Sequence, residues 1–337
     1  MSRNILIDLL RIILLAWIVL FHYTVHYNKV YGVDLPFRFT FENGGTVGVA
    51  IFFIISGFFA ATSLLRQADH GPRQFGRYCL RRYMRFWPLF IICCVAIVGS
   101  QFFISAGERD CTPLQFIQNL LIFPIGKGAH HVDGAHWFLE TLLLIQFIFA
   151  LALLAPPKKR LNILMIIVGI NAACSLLYIA TDIKIFDRIA KILGNRHYIW
   201  CVFIGIVTAL LIEKGPKLLA DYKNRANRPL LCALFMALVL WCAVYAKLGS
   251  IWFPVYTALF IAAIIIRPAM PAKIATFIGA VAGVTLAWYL VHQNMGYALI
   301  GTLVPRGTNP EVAVILACAV TLAVAWACTR LDKLLHK

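Results

Sequence analysis

Three ionisable side chains stand inside one apolar stretch near the start of the chain. Residues 5–27 read ILIDLLRIILLAWIVLFHYTVHY and carry Asp8, Arg11 and His22. An imidazole, with an ordinary pKa near 6.5, can take a proton from a hydroxyl at neutral pH. A carboxylate and a guanidinium three residues apart on a helix can pair. Eleven helical steps from Arg11 to His22 turn roughly 20° past three full turns, and fourteen from Asp8 fall about 40° short of four. All three therefore share one face, with Arg11 and His22 about 16 Å apart along the axis. A charge inside such a segment costs at least ~2.5 kcal/mol, so it usually has a partner or a function. Each residue also has a plainer reading. Arg11 can snorkel to one interface, and a neutral His22 is tolerated at the other.

Four further stretches carry polar groups. In RQFGRYCLRRYMRFWP, residues 73–88, Arg77, Arg81 and Arg85 recur every four residues with Arg82 beside them. Guanidinium groups bind phosphate bidentately; an interfacial helix drawn to anionic lipid would look the same. In HHVDGAHWFLE, residues 130–140, His136, Trp137 and Glu140 lead into an apolar run. His130, His131, Asp133 and His136 can be drawn as a metal site, but no HExxH pairing supports it. In TLAWYLVHQNMG, residues 285–296, Tyr289 and His292 are i,i+3 neighbours beside Gln293. Ser56-Gly57 has no GxSxG elbow around it, so close helix packing is the expectation there.

The elements that must position these groups are membrane helices. The 337 residues are 61% hydrophobic and 13% charged, with mean hydropathy +0.83; soluble domains are about 25% charged. An all-α polytopic membrane protein follows. Ten spans are expected at about 5–27, 47–65, 87–105, 136–155, 161–180, 197–213, 229–246, 251–266, 274–298 and 311–329, with a short amphipathic basic helix before the third. The net charge of +17 does not argue for nucleic acid, because its distribution is that of a membrane protein. Twenty of the 31 Lys and Arg fall on the side of the N-terminus, ten on the other, and Arg11 within the first span. By the positive-inside rule both termini are cytoplasmic and His22 lies toward the outside. The ten cysteines show no metal-ligand spacing and read as small hydrophobes. Gly279 and Gly283 suggest a small-xxx-small packing pair. The chain is expected to be one membrane domain over residues 1–337, with no appended soluble domain.

Taken in order, DLLR with His22 eleven residues after Arg11, GVAIFFIISGF, RxxxRRxxRFWP, HWFLE and YLVHQ resemble the acyltransferase-3 family of membrane O-acyltransferases. The resemblance implies transfer of an acyl group, usually acetyl from cytoplasmic acetyl-CoA, to a hydroxyl of an exported or lipid-linked glycan. It implies a bacterial inner-membrane location and His22 as general base. Arg11 and Asp8 would contact the donor or fix the helix. Arg77, Arg81, Arg82 and Arg85 would hold the donor's phosphates; His136, Trp137, Glu140, Tyr289 and His292 would line the acceptor side. Many members have the acidic residue five positions after the Trp, whereas Glu140 is three after Trp137. Direct transfer in a ternary complex is preferred to an acetyl-histidine intermediate. No metal is required. Partners would be acyl-CoA, the glycan acceptor and membrane lipids, with a second copy or an envelope enzyme possible.

Two other classes compete. A transporter or flippase would line its pathway with Asp8, Arg11 and His22, but no internal repeat is evident. A non-catalytic scaffold would not need these groups on one face.

Overall fold

Asn4 starts the first helix. Its Oδ1 accepts from the Leu6 amide at 3.1 Å, and its Nδ2 donates to the Ala263 carbonyl at 2.7 Å. This N-cap satisfies amides that have no partner within the helix. The structure is a computed structural model, describing residues 4–104, 112–125, 129–220, 224, 227–266, 268 and 270–335, with backbone alone for 217–220. Of the basic residues weighed for topology, Arg3, Arg109, Lys127, Lys223, Arg225, Arg267 and Lys337 lie outside these residues, as does the side chain of Lys217.

The helices are α1 Ile5–Phe21, α2 Tyr27–Tyr31, α3 Val49–Leu65, α4 Pro72–Ser100, α5 Pro113–Asn119, α6 Trp137–Ala150, α7 Pro157–Thr181, α8 Lys184–Ile192, α9 His197–Ala220, α10 Arg228–Leu248, α11 Trp252–Ile265, α12 Ala272–Leu303 and α13 Pro310–Leu335. Nine helical segments of the described residues are long and apolar enough to cross a membrane. Helix α11 matches the short span expected at 251–266; its 14 residues reach only about 21 Å, against a hydrocarbon core of about 30 Å. This is an all-α polytopic membrane protein. One local expectation changes. The basic stretch is not a separate helix but the first turns of the 29-residue α4, which runs through Pro88 into the span.

The chain divides into two compact units. The first comprises Met1–Val49, Arg85–Glu140 and Val255–Lys337. Here α1 opens at its end into a π-helix, His22–His26, before α2. A second π-helix, Gly44–Gly48, packs back on α1. A Cβ on Gly44 would stand 2.6 Å from the Trp17 carbonyl oxygen, and one on Gly48 2.7 Å from Ile18 Cγ1. At Gly44 the two backbones approach too closely for a side chain, and at Gly48 the Ile18 side chain fills the space. Helix α12 packs on both α1 and α13. The wholly buried Tyr23 donates its hydroxyl to the His292 carbonyl at 2.8 Å and lies 3.2 Å from Thr321 Oγ1. Its ring fills the space where a Gly296 side chain would be. A Cβ on Gly283 would meet nothing within 4 Å, so the close packing expected at Gly283 is absent, and Gly296 is a close-packed glycine of α12 instead.

The second unit comprises Ala50–Met84 and Thr141–Pro254. Helices α3 and α9 cross backbone to backbone. A Cβ on Gly57 would run into the Val202 carbonyl, and one on Gly205 into that of Ile54. The close helix contact expected at Ser56-Gly57 is therefore present. Arg160 is not the surface charge that its count among the inside residues suggested. It is wholly buried and donates to the carbonyls of Leu64, Gln67, Asp69 and Ala155 at 2.6 to 3.1 Å. A cation suits the carbonyl-bearing end of α3. Asn171 joins α7 to α8 and α9, donating to the Ala190 carbonyl and accepting from Trp200 Nε1, each at 2.8 Å.

Candidate functional site

Helix α1 carries Asp8 and Arg11, and the π turn that continues it carries His22, along the side that meets α12. Arg11 lies 3.4 Å from Asp8 Oδ1 and donates to Thr285 Oγ1 at 3.1 Å. Further along the same two helices, His22 reaches His292, the ring centroids 4.9 Å apart and nearly edge-on. The single polar face read from spacing is thus one packing interface within the first unit.

The partners of the two imidazoles fix their protons. His22 Nδ1 lies 2.9 Å from the Ile18 carbonyl oxygen, and His292 Nδ1 lies 2.7 Å from that of Tyr289. A carbonyl only accepts, so in the neutral rings each Nδ1 carries the proton. His292 Nε2 is then an unprotonated acceptor, 3.3 Å from His22 Nδ1. The remaining nitrogen of His22, Nε2, is left as the basic atom. His22 is half-buried, whereas His292 is wholly buried.

The π-helix adds a third imidazole. His26 lies 5.2 Å from His22, ring to ring, and its Nδ1 is 2.6 Å from the Tyr297 hydroxyl. Single π turns inside helices are frequent at functional sites. Beyond Tyr297 lies a cavity of about 340 Å³, lined by Tyr27, Tyr31, Val33, Leu35, Tyr297, Gly301, Val304 and Pro305. That is the lower end of the size range for small-ligand sites, about 300–1,000 Å³.

The turn before α6 grips α12 from another side. Asp133, the N-cap of a short turn, accepts from the Ala135 amide through Oδ1 and from the Asn294 amide through Oδ2, both at 2.8 Å. His136 Nε2 donates to the Leu290 carbonyl at 2.8 Å. Both side chains are wholly buried. Glu140 accepts from His131 Nε2 at 2.7 Å, and the Tyr289 ring meets those of Phe138 and His292 at tilted angles, centroids 5.1 and 5.4 Å away. Trp137 is the first residue of α6 and half-buried. His130 lies 2.9 Å from Gln115. Among the described residues no group of three or more His, Cys, Asp or Glu could hold a metal ion. The four residues drawn as a metal site are each turned to another partner.

On α4, Arg77, Arg81 and Arg85 are exposed, whereas Arg82 is half-buried and donates to Ser63 Oγ at 2.6 Å. The three exposed guanidinium groups follow one another at a single turn's spacing.

Sequence reasoning did not single out Tyr23, His26, Asn294 or Tyr297. His26 stands four residues after His22, and Tyr297 five after His292, but only the π turn gives those spacings meaning. A family model described as an acyltransferase domain matches residues 4–330. No curated protein and no solved structure matches the chain.

Proposed function

The chain belongs to the acyltransferase-3 family, and from that premise we propose that this membrane acyltransferase moves an acetyl or other acyl group from acyl-CoA to a hydroxyl of an exported or lipid-linked glycan. The observation that carries the reading is the bare Nε2 of His22. Its Nδ1 proton is held by the Ile18 carbonyl, which leaves the opposite nitrogen free to receive the acceptor's proton. In the step proposed, the hydroxyl oxygen attacks the thioester carbonyl and its proton passes to Nε2. The C–S bond breaks, the ester C–O bond remains, and the imidazolium returns the proton to the departing thiolate. Direct transfer is preferred, because the one group serves as base and then as acid with no covalent enzyme intermediate.

Arg77, Arg81 and Arg85 suit the donor's phosphates, since exposed guanidinium groups make charge-assisted bonds to phosphate oxygens. Arg82 is committed to Ser63 and supports the helix that bears them. Arg11, braced by Asp8 and Thr285, fixes α1 against α12 at the end away from the base. For the acceptor, the tyrosine-lined cavity beside His26 supports a sugar ring, whose C–H faces pack on aromatic rings while its hydroxyls reach polar tips. Trp137, Tyr289 and Glu140 border the acceptor side; His136 would act there through α12. In the orientation given by the charge bias, the termini and Arg77 to Arg85 are cytoplasmic and His22 lies toward the outer face of a bacterial inner membrane.

The test is transfer of labelled acetyl from acetyl-CoA to the cell's surface glycan by purified protein. General-base catalysis contributes about 10²–10⁴-fold, so His22→Ala should lose that much transfer while donor binding persists. Full transfer by His22→Ala would exclude the mechanism. Uptake or flipping of a solute without ester formation would point to transport instead.

A further inference from the structure

We infer that His292 is a positioning residue for His22, and that Asp133 and His136 hold it there. This deepens the reading of His22 as base and rests on it.

Two hydrogen-bond facts define the relation. His292 spends its own Nδ1 proton on the Tyr289 carbonyl, so its Nε2 offers a lone pair. That lone pair lies 3.3 Å from His22 Nδ1, whose proton already points to the Ile18 carbonyl at 2.9 Å. The His22 proton is therefore shared between two acceptors. When Nε2 takes up a second proton during transfer, the positive charge spreads to Nδ1 and both acceptors bind it more strongly. The titratable groups facing His22 are His26 from its own π turn and His292 from α12. Neither brings a negative charge, so the imidazolium depends on oriented lone pairs. A neutral imidazole here does what a carboxylate does beside other catalytic histidines: it sets tautomer and ring angle.

The placement of His292 is over-determined. Leu290 and Asn294 bracket it one helical turn apart. His136 donates to the Leu290 carbonyl and Asp133 accepts from the Asn294 amide, both at 2.8 Å. Tyr23 donates to the carbonyl of His292 itself. These are the two halves of one i to i+4 backbone pair, each engaged by a side chain from the four-residue segment Asp133 to His136, a short turn with its N-cap. A slip of α12 by one residue would move His292 by about 1.5 Å and 100° and would break both contacts. Such a slip would also remove the acceptor from His22.

The experiment compares His292→Leu with His292→Gln in purified full-length protein. The leucine has no acceptor, whereas the glutamine offers an amide oxygen. With acetyl-CoA and the native glycan, His292→Leu should lower kcat by up to about 10²-fold, the effect of misplacing a catalytic group by an ångström. The KM values for both substrates should hold. His292→Gln should recover most of kcat, and Asp133→Asn and His136→Phe should lose kcat in the same pattern. A solution measurement independent of turnover is the ¹⁵N spectrum of histidine-labelled protein, in which His22 should show the Nδ1-protonated tautomer. Equal kcat for the leucine and glutamine variants, a loss carried by KM, or an Nε2-protonated His22 would overturn the inference. Absence of transfer in the unmodified protein, with the Nδ1 tautomer present, would count against the proposed function instead.

Discussion

Replacing Gly296 by alanine sets two effects against each other whose sizes decide the outcome. In an unobstructed helix interior, alanine is better than glycine by up to about 1 kcal/mol. At Gly296, however, the new methyl would occupy the ring of Tyr23. That ring has no exposure to move into, and overpacking of this kind costs about 1–3 kcal/mol. A displaced Tyr23 also weakens its contacts with the His292 carbonyl and Thr321, interhelical bonds worth about 0.6 kcal/mol each in membranes. The penalty exceeds the gain, and a net loss of about 1–3 kcal/mol is expected. Gly283 in the same helix has nothing within 4 Å, so Gly283→Ala should be neutral or mildly stabilising. Heating in detergent with a thiol-reactive dye reads both, because Cys93 and Cys201 are fully buried and react only on unfolding. The reasoning is refuted if Gly296→Ala unfolds at or above the parent's midpoint, or if Gly283→Ala falls as far.

Gly205→Ala should be worse still, because its methyl meets the backbone carbonyl of Ile54 and not a movable side chain; yield of monodisperse protein from membranes is the check. Arg160→Leu should destabilise by at least ~2 kcal/mol, since it strands carbonyls at the end of α3 at about 1–3 kcal/mol each. Arg160→Lys should recover part of that loss in the same melting assay. Changing Arg77, Arg81 and Arg85 together to alanine should weaken acetyl-CoA binding and flatten its salt dependence in calorimetry, with the melting midpoint unchanged; undiminished affinity would remove the phosphate assignment.

The membrane fold was legible because composition and span length leave few alternatives, and the helical arithmetic put Asp8, Arg11 and His22 on the face that meets α12. Their partners were less so. Arg160 sits among Lys158 and Lys159 and looks like any interfacial charge; only the returning end of α3 turns it inward. In sequence, His136 reads as an acceptor contact and Asp133 only as one point of a drawable metal site; their grip on the backbone of Leu290 and Asn294 was not legible, because a backbone group has no sequence signature. Gly279 and Gly283 matched a packing pattern, yet a Cβ on Gly283 would meet nothing within 4 Å. A spacing motif states which residues share a helix face; it does not state whether anything lies opposite. Nor does any residue type announce a π turn.

That turn has a consequence for how this region tolerates change. From His22 to His26 the backbone takes one residue more than an α-helical path would use, so Tyr27 and Tyr31 leave the turn about 100° out of phase with an uninterrupted continuation of α1. Straightening the turn into an unbroken α-helix at unchanged length would barely alter hydropathy. It would also swing both tyrosines away from Tyr297 and pull His26 off its hydroxyl. The extra residue of the π turn is therefore what aims Tyr27, Tyr31 and His26 at Tyr297.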